Sequence, residues 1–357
     1  MTESTYPVIE GAVCPLPLPH DQTIVMGHGA GGKMSQELIR DLFQSRLMNP
    51  ILAENNDFGR LSIPTDQPGH LAVSTDMHMV TPLFFPGGDI GSLAVCGTVN
   101  DIAMSGGIPL ALTASFILEE GLAINTLVAI VDSMAKTARE AGIPIIAGDT
   151  KVAEKGNADK VFINTTGIAW VPENRRIGGQ YARPGDVILL SGTMGDHGIA
   201  VLAARGELGF QADVQSDIAP LHGLIQTLLQ AAPNVHVLRD PTRGGVGTTL
   251  NEIAHQSRTS LWIQEDRLPV HPTVQAACEM LGFDPLYIAN EGKLIVICPP
   301  EEAEQALAAM RQHPYGGQAV VIGEVKAEDP GRVLMHTRFG ATRLVDTLAG
   351  EILPRIC

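Results

Sequence analysis

One thiol and a few carboxylates are the side chains of this sequence best placed to do chemistry. Cys357 closes the chain after Pro354-Arg355-Ile356. A cysteine there is a thiol on a tether, because Gly350 to Cys357 holds few residues that sustain a helix and Pro354 biases Leu353 toward extended backbone. Eight residues span at most roughly 28 Å at about 3.5 Å each, so such a tail reaches solvent or folds back into a cleft. Arg355 lowers the pKa of the thiol and the adjacent terminal carboxylate raises it. A frayed terminus that happens to end in cysteine fits this stretch equally well.

The carboxylates suggest a second kind of chemistry. Asp76 and Asp149 fall at the ends of expected strands. Asp101, next to Asn100, shares a small-residue helix face with Ala94, Thr98 and Ser105. Magnesium takes oxygen ligands, commonly one or two carboxylates plus substrate phosphates. Gly27-His28-Gly29-Ala30-Gly31-Gly32-Lys33 precedes a helix, an arrangement that offers free N–H groups to an anion. Its spacing is not that of a P-loop, and a flexible linker reads the same way. Aspartates also open turns, His28 fills a loop as readily as it touches phosphate, and Glu291 before a buried strand is the pattern of a solvated loop residue. Cys96, Cys278 and Cys298 lie in apolar surroundings and read as small hydrophobes.

Positioning these groups takes two domains, the default for 357 residues with 45% hydrophobic content. A net charge of −15 argues against nucleic-acid or anionic-membrane partners, while a phosphate ligand remains compatible if a divalent cation intervenes. No stretch approaches the ~20 apolar residues of a membrane span, and the start of the chain lacks the basic region of a signal peptide. Five scattered cysteines without C-x-x-C match neither a disulfide framework nor a zinc site, so a cytoplasmic protein with reduced thiols is expected. Residues 1–22, containing Cys14, form a Pro-rich extension. A first α/β domain covers 23–172, with a helix from Met34, strands at 70–75, 110–118, 143–147 and 161–171, and helices at 89–105 and 125–142 capped by Asn125. Turn-rich residues 172–185 mark the boundary. A second alternating domain runs over 184–345, including a helix at 217–231, and 346–357 is a mobile tail. Two similar halves imply a bilobal α/β enzyme with its site between them.

The ordered set of motifs resembles one family. Gly27 to Lys33, Ser74-Thr75-Asp76, Pro82 to Gly88, Asn100-Asp101-Ile102-Ala103, Gly148 to Lys151, Asp240 to Gly245, Asn290 to Lys293 and the terminal Pro-Arg-Ile-Cys together are similar to the HypE family of hydrogenase maturation proteins. The likeness runs from about residue 24 to 357. The wider superfamily, with aminoimidazole ribonucleotide synthetase, selenophosphate synthetase and thiamine monophosphate kinase, implies two α/β domains, usually dimers, and a Mg–ATP site in the first. The terminal cysteine separates this family from those relatives.

What the resemblance implies is ATP-dependent dehydration of a carbamoyl group on the Cys357 sulfur to a thiocyanate, which supplies the cyanide ligands of [NiFe] hydrogenase. An amide oxygen is a very poor leaving group, so ATP first converts it to phosphate, and loss of the N–H protons then gives the nitrile. Phosphoryl transfer is mostly positioning and charge neutralisation. By resemblance Asp76, Asp101 and Asp149 bind Mg2+, with Gly29, Gly31, Gly32, Lys33 and Asn100 also at the nucleotide. Glu291 is the implied base, with Lys151 as its ionic neighbour and Asp101 as the alternative. A HypF-type carbamoyltransferase is the implied donor, a HypC–HypD-type iron scaffold the acceptor. The competing readings are a small-molecule synthetase or kinase of the same superfamily and a non-enzymatic metallocluster scaffold.

Overall fold

The computed structural model describes residues 22–56, 58–63, 68–206, 213–348, 350, 353, 355 and 356. The Pro-rich extension up to residue 21, Cys14 within it, and Cys357 lie outside the described residues. After a 3-10 turn at Met26–Gly29, Gly32 opens α1 (Lys33–Leu38), which widens into a π-helical segment, Ile39–Gln44, and closes as α2 (Ser45–Leu47). Leu38, Leu42 and Phe43 carry this run into the core.

β1 (Gly69–His78) leads into a two-residue ladder of β2 (Phe84–Phe85) with β3 (Gly88–Asp89). Asp89 then caps α3 (Ile90–Ala103): its carboxylate accepts from the N–H of Gly91 and Ser92, and the Ser92 hydroxyl accepts from the Asp89 N–H. Its apolar and small residues let α3 be buried nearly all round, as befits a helix covered on every side. β4 (Ile108–Glu119), α4 (Ile124–Ala141), β5 (Ile145–Ala153) and β6 (Val161–Pro172) complete the first half. Asn125 does not cap α4. The Ile124 N–H donates to the Gln22 carbonyl at 2.9 Å, so backbone from the chain's start satisfies the helix end.

The first sheet has the order β1-β6-β4-β5, with only β4 and β5 parallel. Alternation along β1 turns Ser74, Asp76 and His78 toward α3. The opposite face leaves Leu71, Val73 and Met77 48%, 64% and 57% exposed.

In the second half β7 (Val187–Leu190), α5 (Asp196–Ala204), α6 (His222–Ala231) and β8 (Val237–Arg239) follow. Then come α7 (Gly245–Ser257), β9 (Ser260–Gln264), α8 (Pro272–Leu281), β10 (Ile295–Cys298), α9 (Pro300–Gln312), β11 (Val320–Lys326), β12 (Val333–His336) and β13 (Thr342–Val345). Their sheet runs β13-β12-β9-β11-β7-β10-β8. Residues 217–221 are not helical, because Asp217 and Leu221 bond instead to Glu291 and Asn100. The halves share cores: α5 and α8 contribute Ile199, Val201 and Val274 to the cluster around α3, and Ala103 and Met104 enter the cluster of Leu221 and Leu224. A fully buried aliphatic side chain such as Ile90 or Leu93 contributes about 1.5–3 kcal/mol.

Candidate active site

The glycine-rich loop forms one wall of a cleft of about 630 Å³ against α1 and β5, lined among others by His28, Gly29, Gly31, Gly148, Asp149 and Lys151. Gly29 is required by contact, since a Cβ there would lie 2.7 Å from the Val152 nitrogen. Gly31 has φ +77°, a conformation natural to glycine. The Gly31 N–H donates to the Ser35 hydroxyl, which donates to the Gly27 carbonyl, so the loop is tied to α1. Lys33 does not line the cleft; it is 88% exposed and 3.7 Å from Glu37.

A second set of groups gathers where β1, α3 and the second half meet. The Ser74 hydroxyl donates to Asp101 at 2.9 Å. Asp76 lies 3.9 Å from His78 Nε2 and 4.0 Å from Arg243. Burial raises the Asp101 carboxyl, and the Asp76 charge raises it further against the Ser74 bond. Burial, then Asp101, pushes Asp240 up to about 7. Burial and the charges of Asp217, Asp240, Asp76 and Asp101 hold Glu291 well above the usual carboxylate range, and its Oε1 is buried without a hydrogen-bond partner. These carboxylates repel one another, so the cluster favours bound protons or a bound cation. Its donors are all oxygen, which suits a hard divalent ion such as Mg2+. Among the described residues no three carboxylate, imidazole or thiol side chains are close enough to hold a metal alone, so any ion bound here would need other oxygens to complete its shell.

The frame of this cluster is a cross-domain clamp. Asn100, only 1% exposed, donates to the carbonyls of Ala219 and Glu291 at 3.0 and 3.1 Å and accepts from the Leu221 N–H at 2.7 Å. Its amide is therefore committed to the second half of the chain rather than turned to a nucleotide. The Glu291 N–H donates to Asp217 Oδ1 at 3.0 Å, and Lys293 Nζ lies 3.0 Å from Asp217 Oδ2. Burial opposes the Asp217 charge, but Lys293 and the Glu291 N–H hold its carboxyl below the usual range.

The structure brings Asp76, Asp101 and Glu291 together and leaves Asp149 and Lys151 apart from them. β5 runs four residues past Asp149, so this residue is inside a strand, paired with Ser115, while Asp76 pairs with Thr165 on the other face. Lys151 is 3.3 Å from Asp149 Oδ2 and both are mostly exposed. It is not the ionic neighbour of Glu291; the lysine in that network is Lys293, acting through Asp217. Sequence reasoning missed Arg243, Asp240, Asp217 and His78. Arg243 and Asp240 stand inside a quoted motif, which was the available signal. Asp217 had none.

Arg243 also borders a cavity of about 430 Å³ shared with Thr248, Tyr287, Leu353 and Ile356. Leu353 and Ile356 of the tail thus line the same cavity as the arginine that approaches Asp76.

Two family models match the chain: "AIR synthase related protein, N-terminal domain" over residues 56–171 and its C-terminal counterpart over 183–336. With the two α/β halves they define a two-domain enzyme of the AIR synthase related class. Carbamoyl dehydratase HypE of Azotobacter vinelandii is 54% identical over 94% of this chain and 97% of its own length. A solved HypE in complex with ATP superposes with TM-score 0.90 at 51% identity, covering 94% of this chain and all of that one. The HypE of a HypE–HypF complex gives 0.76 at 47% identity, over 87% and 99%. The chain belongs to the HypE family of carbamoyl dehydratases.

Proposed function

We propose that this enzyme dehydrates a carbamoyl group carried on the Cys357 sulfur, S–C(=O)–NH₂, to S–C≡N, with ATP giving ADP and phosphate. The amide oxygen attacks the γ-phosphorus and one N–H proton leaves; the second N–H proton then departs as the C–O bond breaks and the oxygen goes out with phosphate. The observation that carries this reading is that Arg243, 4.0 Å from Asp76 of the acid cluster, also lines the cavity bordered by Leu353 and Ile356 of the tail. Glu291, poised to hold a proton, is the group suited to accept one. Arg243 offsets negative charge that develops on the oxygen. The cleft of Gly29 and Gly31 is where the nucleotide binds, with Gly32 and Lys33 at its rim; Asn100 serves through the frame.

Asp76 and Asp101 would hold Mg2+, and Asp149 joins them only if nucleotide or a second copy of the chain brings its face within reach. Bound there, the ion would neutralise phosphate charge. The bare sheet face of Leu71, Val73 and Met77 supports a homodimer that covers it. The solved HypE–HypF complex supports a HypF-type carbamoyl donor. The acceptor is an iron on a HypC–HypD-type scaffold, which the family implies. Among the described residues no helix is long and apolar enough to cross a membrane, and the free thiols of Cys96, Cys278 and Cys298 fit the reducing cytoplasm.

The test is mass spectrometry of carbamoylated protein after addition of Mg–ATP. The C-terminal peptide should lose the mass of one water, with one ADP formed per chain, and Cys357→Ala should do neither. An unchanged peptide mass in the intact protein overturns the reading.

A further inference from the structure

The tail is gripped through its main chain. Arg205, which ends α5, donates to the carbonyl of Arg355 at 2.6 Å and to that of Thr81 at 2.7 Å, and the Thr81 N–H donates to Arg355 at 3.3 Å. The Arg355 side chain pairs with Asp159 of the first half. Leu353 and Ile356 are buried in the shared core, and a Cβ at Gly198 would lie 3.3 Å from Leu353. The innermost contact belongs to His197, itself fully buried, whose Nε2 is 2.7 Å from the Ile356 carbonyl.

A carbonyl only accepts, so Nε2 carries the hydrogen and the neutral ring must accept at Nδ1. There it meets the Ser216 hydroxyl at 2.8 Å. Ser216 is fixed in turn, its N–H donating to the Pro86 carbonyl at 2.8 Å, and a Cβ on Gly87 would lie 2.7 Å from the Ser216 backbone. The Phe85 ring stands edge-on to the imidazole at 5.5 Å. Burial lowers the proton affinity of His197, against the Asp217 charge that raises it, which favours the neutral ring. The Pro82–Gly88 segment, which the catalytic chemistry leaves without a role, is therefore the back wall of this dock.

We propose that His197, oriented by Ser216 and Phe85, is a positioning residue that fixes the tail through the Ile356 carbonyl. That carbonyl carbon is bonded to the nitrogen of Cys357, and the peptide between them is planar. Holding the oxygen sets the plane from which residue 357 departs. Three of the polar contacts on residues 355 and 356, from Arg205, the Thr81 N–H and His197, take main-chain oxygens, while the Arg355–Asp159 pair and the apolar side chains of Leu353 and Ile356 set the register. The proposal rests on the dehydratase reading for its purpose, but the position of the tail is measurable without it.

The rate at which iodoacetamide alkylates Cys357 in the full-length protein, read by mass on the C-terminal peptide at neutral pH, tests the dock. Burial pushes Cys278 up to about 11, Cys298 to about 12 and Cys96 further, so these thiols stay protonated and slow; a Cys14 adduct differs by peptide. His197→Leu should speed Cys357 alkylation about tenfold, the scale of one buried hydrogen bond. Ser216→Ala should do so by about threefold, and His197→Gln, whose amide can still donate, should restore most of the protection. Single-turnover dehydration should slow in the same order while KM for ATP holds. Wild-type alkylation rates in folded His197→Leu or, if that variant does not fold, in Ser216→Ala overturn the proposal. Absence of dehydration in the wild type, with the alkylation contrast intact, counts against the function and not the dock.

Discussion

The acid cluster around α3 and the glycine-rich loop, both proposed to act at the nucleotide's phosphates, are built in opposite ways. Around Asp101 the contacts are long-range and buried: Asn100 closes three hydrogen bonds to residues 219, 221 and 291, and the carboxylates raise one another's proton affinity. Around the loop the charged partners are local and exposed. Lys33 pairs with Glu37 one helical turn away, and Asp149 with Lys151 two residues on. Repelling carboxylates relax apart unless a rigid frame prevents it, so their cluster is locked across both halves. Exposed pairs worth little in water can be exchanged for a ligand's charges at small cost.

This contrast predicts where substitutions hurt. Glu291→Gln keeps shape but removes the carboxylate proposed to accept a proton, so the dehydration rate should fall 10²–10⁴-fold with an unchanged thermal midpoint. A rate within threefold of wild type in single-turnover assays would remove Glu291 from the chemistry. Asn100→Ala should instead strike the frame. It leaves the buried Leu221 N–H and two carbonyls without partners, at a cost of about 2–3 kcal/mol. Urea unfolding would show this as a lowered midpoint with unchanged slope, and a loss below 0.5 kcal/mol would mean the clamp is not the frame.

The same contrast explains what could be read from the chain. The grouping of Asp76 with Asp101 comes from the family resemblance, whereas the α/β alternation and the buried small-residue helix α3 follow from local periodicity. The Asp217 bonds and the role of Asn100 do not, because their partners lie 74 to 191 positions away and no local pattern announces them. β8 was unreadable for another reason: three residues, Val237–Arg239, are too short to show a period. Asp149 is hard to place because Gly148-Asp149 after Ala147 looks like a turn, yet Gly148 continues the strand in register opposite Ala114.

Between these extremes stands Gly29→Ala. The added carbon would meet the Val152 nitrogen at 2.7 Å, so the loop must shift away from β5 and narrow or tilt the cleft. We expect KM for ATP to rise about fivefold, roughly 1 kcal/mol, with the unfolding midpoint little changed because the loop is at the cleft rim. Equilibrium nucleotide binding checks this, and an unaltered affinity would place the nucleotide elsewhere than this cleft.

Lys33→Ala should have the smallest effect, and it tests the exposed side of the comparison. Its pairing with Glu37, at 3.7 Å and 88% exposure for the lysine, is worth about 0.3–0.5 kcal/mol, so stability should change by no more than that. A phosphate at the rim would attract the ammonium with about 1 kcal/mol at 4 Å in water. KM for ATP should therefore rise up to fivefold at low ionic strength and approach the wild-type value in high salt, as the interaction is screened. If stability instead fell by more than 1 kcal/mol, Lys33 would belong to the frame. The division between a locked acid cluster and an adaptable phosphate loop would then not hold at this residue.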